Sequence, residues 1–226
     1  MAEPLQITRL AERLRGETRD LHTEVEQSLL MQALLRGNLS LVAYCMLLRN
    51  LHAIYAALEA ALKHHAAEPS LSPVCLPALF RSDALAQDLN DLCGATWAST
   101  VVLQQATQQY VAHLQHLHET HPALLVAHAY VRYLGDLSGG QLLKRIVAKN
   151  PQIPLGSGTA FYDFGDAGTT QGLIRDFRAG LEKIPGNEAR VDAIVAEAKQ
   201  AFERHRTLFQ QLAVAGAIAE VSAGAL

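Results

Sequence analysis

The chain is short of several features that would place it quickly. It has no excess of positive charge: 19 Lys and Arg stand against 22 Asp and Glu, a formal net charge of -3. That excludes the global basic field that nucleic-acid binding uses, so no nucleic-acid partner is expected. Cysteine is scarce. Cys45, Cys75 and Cys93 share no C-x-x-C spacing, and an odd count without a paired pattern fits a reducing, cytoplasmic compartment. The opening Met1-Ala2-Glu3-Pro4 has neither a positive n-region nor an apolar h-region, so no signal peptide is expected. The apolar run from Leu212 to Leu226 is shorter than a bilayer span, contains Glu220 and is largely Ala and Gly, which argues against a membrane anchor. Strand alternation, internal repeats, low-complexity segments and a dividing linker are all missing.

What remains is helical. Half of the 226 residues are hydrophobic and 18% are charged, ample for one core. Leu10, Leu14, Leu21, Val25, Leu29 and Leu30 recur near a helical period within Leu5 to Leu35, which Gly37-Asn38 ends. Ser40 fits an N-cap for a helix over Leu41 to Leu62. Pro69, Pro73 and Pro77 mark a loop, and further helices are expected over Ser82–Leu92, Thr100–His118, Ala123–Lys149, Thr170–Lys183 and Glu188–Leu212. Gln152 to Gly168 is rich in Gly and Pro and reads as a packed loop. The expectation is a single all-α domain over residues 1–212, followed by a small-residue tail over 213–226.

The stretch Tyr130-Val131-Arg132-Tyr133-Leu134-Gly135-Asp136-Leu137-Ser138-Gly139-Gly140-Gln141 carries three glycines inside a helical pattern. Each costs about 0.8–1.0 kcal/mol relative to Ala, together a sizeable part of a domain's stability. Gly135 and Gly139 lie four apart on one face, and Asp136 and Gly140 lie on the adjacent one. Two readings suit this groove: a close helix–helix crossing, or a flat ligand lying against bare backbone. Leu137-Ser138-Gly139-Gly140-Gln141 also looks like the signature peptide of ABC-type ATPases, but that class needs a phosphate-binding loop after a strand, and none is present.

Ten histidines invite a metal reading. His64-His65 follow a helix and suit a solvated end. His113, His116, His118 and His121 cluster, with His113 and His116 at i, i+3, yet they fit a polar surface face as well as a metal site. His22 differs. It sits in Thr18-Arg19-Asp20-Leu21-His22-Thr23-Glu24-Val25-Glu26, and Glu26 one turn on can accept from its Nδ1–H, leaving Nε2 to coordinate. A satisfied core histidine is the plain alternative. A single axial His is what a haem iron needs, and haem is a flat ligand of the kind a glycine wall accepts.

At this point the residues resemble the haem oxygenase family. Tyr130 to Gln141 looks like its distal-helix signature, Thr18 to Glu26 like its proximal segment, and Pro122 to Tyr130 like the lead into the distal helix. Weaker similarity covers Leu51–Glu59, Phe161–Phe164 and Glu197–Phe202. The resemblance implies haem held between a proximal and a kinked distal helix, and oxidative cleavage of haem at a meso carbon (alpha expected), using O2 and reducing equivalents, to biliverdin, CO and ferrous iron. Carried over by position, His22 would be the axial ligand, oriented by Glu26. Gly135 and Gly139 would meet the haem plane and O2, with Gly140 in the same wall, and Asp136 would anchor a distal water network. Tyr130, Arg175 and Arg15 would meet the propionates. Gln171 stands where some members have Lys, and His205 where some have Asn. The external electron donor would be a ferredoxin or a flavin reductase. Rival classes are a non-catalytic haem carrier or sensor, a thiaminase-like hydrolase and a di-iron enzyme. The last needs Glu-x-x-His ligands, which are absent from the chain.

Overall fold

The computed structural model describes residues 10–218. The chain folds into α1 (Leu10–Glu17), α2 (Arg19–Glu26), α3 (Leu29–Leu35), α4 (Leu41–His64), α5 (Ser82–Cys93), α6 (Trp97–Thr100), α7 (Gln105–Thr120), α8 (Leu125–Ala129), α9 (Gly135–Lys149), α10 (Ala167–Leu181) and α11 (Glu188–Ala215), with no strand among the described residues. Short 3-10 turns precede α5, precede α8 and lie at Ala160–Tyr162, and a π-helical turn, Tyr130–Leu134, joins α8 to α9.

Two long helices organise the core. The apolar stripe of α4 (Tyr44, Leu48, Leu51, Ile54, Tyr55, Leu58 and Leu62) is fully or almost fully buried, and α5 and α7 pack on it. By length and composition α4 is apolar enough to cross a membrane, but here it forms the centre of the protein fold. Each such Leu contributes roughly 1.5–3 kcal/mol by leaving water. The second organiser, α11, lies against α1, α2, α3, α7 and α8 through Ile194, Ala198, Ala201, Phe202, Leu208 and Leu212.

Buried polar side chains set how the pieces join. Asn50 on α4 accepts from Gln104 N (2.8 Å) and Thr107 Oγ1 (2.7 Å) and so fixes the start of α7. Glu59 accepts from the backbone N–H groups of Arg81 and Ser82 and from the Ser82 hydroxyl, capping α5 from outside its own sequence. Asp88 accepts from Ala160 N (2.9 Å) and Phe161 N (2.8 Å), and Tyr44 donates to Gly158 O (2.6 Å). These bonds make the Gly/Pro-rich segment the packed loop that its composition suggests.

Several boundaries differ from the periodicity. The first expected helix is three helices. Thr18 Oγ1 turns back to Leu14 O (2.7 Å) at the first break, and Ser28 caps α3 by accepting from Met31 N (3.4 Å) at the second. Helix α7 starts at Gln105 rather than Thr100 because α6 and an extended Val101 intervene. Ser40 does cap α4, accepting from Ala43 N at 3.2 Å. The last helix continues to Ala215, past the expected edge of the tail, and residues 219–226 of that tail lie outside the described residues, as do residues 1–9.

The unpaired reading of the cysteines is corrected. Cys45 on α4 and Cys93 at the end of α5 come together as a disulfide, with Cα atoms 6.9 Å apart, while Cys75 is free. Forty-eight residues separate the two, so no local spacing reveals them; the packing of α5 on α4 does.

Candidate active site

A cleft opens between the α1–α2 segment and the π-helical turn leading into α9. It has an outer lobe of about 690 Å³ and an inner lobe of about 190 Å³, and His22, Val131, Gly135 and Phe202 line both. His22 projects from α2 with its Nδ1 3.5 Å from Glu26 Oε2, and its ring meets the edge of Phe202 on α11. That separation is too long for a hydrogen bond, but it puts Glu26 on the Nδ1 side of the ring and leaves Nε2 as the other nitrogen.

The opposite wall is backbone. Nothing lies within 4 Å of where a Cβ would sit at Gly135 or Gly139, although both have ordinary helical surroundings. Both glycines border the inner lobe, so the space a side chain would take belongs to the cleft. The π-helical turn immediately before Gly135 widens the helix by one residue, a device common at functional sites. The close-crossing reading of these two glycines is thereby displaced, since no second helix among the described residues fills the space.

The inner lobe is apolar at Leu47, Leu51 and Phe209 and polar at Arg132, Asp136 and His205. Arg132 Nη2 donates to Asp136 Oδ1 (2.8 Å) and its Nε donates to Tyr55 OH (3.1 Å). Burial lowers the guanidinium to about 10, so it stays charged near neutrality. Burial pushes the Asp136 carboxyl well above the usual carboxylate range, and the neighbouring guanidinium opposes that rise. Burial, with the charge of Arg132 next, pushes His205 well below the usual imidazole range, so its ring is neutral. Asp136 Oδ2 and His205 Nδ1 are both buried without a protein hydrogen-bond partner. Such atoms are costly unless a small polar ligand meets them.

Behind His205 runs a buried chain. Its Nε2 is 3.5 Å from Tyr110 OH, which is 2.8 Å from His128 Nδ1. His128 Nε2 and His113 Nε2 reach Glu197 Oε1 at 3.0 and 2.7 Å. Burial works to raise the Glu197 carboxyl, but its bonds to His128 and His113 together outweigh burial and hold it at about 2. Two of the four clustered histidines are thus separated: His113 serves this buried network, while His116 stays on the surface.

The outer lobe carries cations at Arg15, Arg19 and Arg178, with Tyr130 beside them. A slot with His22 on one wall, bare glycine backbone on the other and a cationic mouth fits haem: an apolar ring plane with two carboxylates at one edge.

Comparison with known proteins agrees over the whole fold. The family model described as Heme oxygenase matches residues 8–211. The chain belongs to the haem oxygenase family. It is 40% identical over 210 residues to Heme oxygenase 2 of Synechocystis sp., covering 91% of this chain and 84% of that protein. It is 36% identical to Heme oxygenase 1 of Gallus gallus over 90% of this chain and 69% of the other. The crystal structure of heme oxygenase-2 from Synechocystis sp. in complex with heme and NO superposes with a TM-score of 0.88 at 37% identity, covering 92% of this chain and 87% of that one. The heme oxygenase of Leptospira interrogans superposes with a TM-score of 0.85 at 34% identity, over 90% of this chain and all of that one. As a haem oxygenase, the protein is an oxidoreductase that takes haem as substrate and uses O2 and reducing equivalents on it.

Seven of the residues singled out in the haem oxygenase sequence meet in this cleft: Arg15, His22, Glu26, Tyr130, Gly135, Asp136 and Gly139. Two do not. Gly140 is turned from the cleft toward the packed loop, where a Cβ would meet Tyr162 O at 3.5 Å, so its lack of a side chain serves packing. Arg175 is 78% exposed and pairs with Asp176, whereas Arg178, three residues on, reaches the cleft. Arg178 follows the buried Phe177 of α10, a phase that the apolar pattern Leu173, Phe177, Leu181 carries. Arg132 was missed in the sequence, although its i, i+4 spacing to Asp136 was a signal that could have found it. Tyr55 and Tyr110, distant in sequence, gave no such signal.

Proposed function

We propose that this haem oxygenase opens the ring at the alpha meso carbon, giving biliverdin, CO and ferrous iron, with the cleft residues in the following roles. The observation that supports the reading most is the asymmetry of the slot: Arg15, Arg19 and Arg178 line its outer mouth, whereas the one arginine of its inner lobe, Arg132, is paired with Asp136 and stands beside the orphaned Asp136 Oδ2 and His205 Nδ1.

His22 would hold the iron through Nε2, with Glu26 orienting its Nδ1–H. Arg15 and Arg178, with the Tyr130 hydroxyl, would hold the two propionates at the mouth. The propionates flank the gamma meso carbon, so anchoring them there directs the opposite, alpha edge toward the inner lobe. When bound, haem supplies the iron that binds and activates O2.

Gly135 and Gly139 let a diatomic molecule approach backbone without a side chain blocking it. Asp136 Oδ1 is occupied by Arg132, so a proton on this carboxyl belongs on Oδ2, the oxygen facing the inner lobe without a protein partner. Burial favours the protonated carboxyl, and the Arg132 guanidinium opposes it. His205, neutral and one bond from Tyr110, offers either a proton or a lone pair at Nδ1. Leu47, Leu51 and Phe209 keep bulk water from this end of the slot.

The mouth also bears on the electron donor. The exposed Arg15, Arg19 and Arg178 suit an acidic donor surface, which favours a ferredoxin over a flavin reductase. We place the enzyme in the cytoplasm, where the glutathione pool would reduce the Cys45–Cys93 bond that the structure carries. Chromatography of the bilin from aerobic turnover tests the assignment: a single alpha isomer supports it, and a mixture or another isomer overturns it.

A further inference from the structure

Far from the cleft, three histidines gather where two helices end. His64 is the last residue of α4, His65 follows it, and His118 lies in the last turn of α7. One ring nitrogen from each lies within 4.8 Å of the other two. The rings are edge to face, with centroids 4.8–4.9 Å apart in every pair. His65 Nε2 is 2.9 Å from His118 Nδ1 and 3.0 Å from the His118 carbonyl. Adjacent ligands on a tetrahedral ion of zinc's size sit about 3.3 Å apart, so the nitrogens are close to a chelating arrangement already.

Two further observations favour a cation here. Glu68, on the turn after α4, holds His65 Nδ1 at 2.5 Å. That is the carboxylate–histidine pairing that fixes the tautomer of a metal-binding imidazole and raises its basicity, leaving Nε2 to bind. The α4 and α7 C-termini also meet at this point, and each brings the partial negative charge of a helix end.

We propose that His64, His65 and His118 form a binding site for a borderline divalent transition ion of the Zn2+ class, with Glu68 as a positioning residue. Three imidazole nitrogens suit Zn2+, Ni2+ or Cu2+ and not Mg2+ or Ca2+, which take oxygen ligands. Binding displaces any proton shared between His65 and His118, and His65 gives up its contact with the His118 carbonyl. The ion ties the turn after α4 to the end of α7. His65 lies 14 residues beyond the cleft residue Leu51, about 20 Å along the helix at 1.5 Å per residue, so the ion clamps the fold and takes no part in the haem chemistry.

The test is isothermal titration of the tag-free, haem-loaded full chain with Zn2+. One equivalent is expected to bind saturably, with Mg2+ giving none. His65→Ala and His118→Ala should each weaken binding at least tenfold, and Glu68→Gln by about tenfold. His113→Ala, which disturbs the other His/Glu group of the protein, should leave it unchanged. X-ray absorption at the zinc edge of the wild-type complex, which needs no variant to fold, should show three imidazole nitrogens. No saturable site, binding that survives both histidine variants, or a shell containing sulfur would each overturn the proposal.

Discussion

Arg132 donates to Asp136 across one turn of the distal helix, 2.8 Å from Nη2 to Oδ1, and leaves Asp136 Oδ2 buried with no protein partner. One oxygen is fixed and the other is presented to the cleft. This gives Asp136 a task separate from haem binding. Asp136→Ala should retain the Soret band on haemin addition but lower biliverdin formation by about 100-fold, the scale of a lost proton-transfer group. Wild-type bilin yield from this variant would remove the role.

His22 is the coordinating candidate on the wall opposite the glycines, with Nε2 free. His22→Ala should shift the haem absorption spectrum and abolish turnover, and added imidazole should restore part of the wild-type spectrum. An unchanged spectrum would remove His22 as the ligand.

The exchange of Arg175 for Arg178 is checked by a pair of variants. Arg178→Ala should broaden the bilin isomer distribution and weaken haem binding several-fold, on the scale of a lost charge-assisted hydrogen bond of about 1.5–3 kcal/mol discounted for exposure. Arg175→Ala should change neither, because its side chain points to solvent beside Asp176. Isomer chromatography and haem titration of the two variants decide between them.

Glu197 links the buried histidines to pH. Its carboxyl is held at about 2 in the fold against an ordinary value of 4.5, so it contributes stability above pH 4.5 that is lost as pH falls toward 2. The pair is buried, and the contribution is on the order of 3 kcal/mol. Burial also lowers His128, which takes up a proton more readily unfolded, so stability falls in the same direction as pH drops below 6.5. Urea unfolding of wild type and Glu197→Gln at pH 7, 5 and 3 should show a gap that narrows with acid; a constant gap would contradict the assignment.

The sequence patterns reported what is local. Helical period located the long helices, Ser40 marked its cap, and Gly135, Asp136 and Gly139 shared their faces as spacing requires. Breaks made by single hydroxyls, at Thr18 and Ser28, do not interrupt an apolar period and were missed. So were relationships closed only by packing: Cys45 with Cys93, His65 with His118, and His205 with Tyr110. Arg175 and Arg178 differ by less than one helical turn, and only the packed position of Phe177 decides which one faces the cleft. The tyrosines that hold Arg132 and His205 come from α4 and α7, and nothing in the distal motif points to them.

The most direct measurement is optical. Stoichiometric haemin is added to the protein, followed by a reductant under air. A Soret band should form and then disappear as a bilin spectrum rises. A Soret band that persists through reduction in air would make the protein a haem carrier and contradict the assigned cleavage.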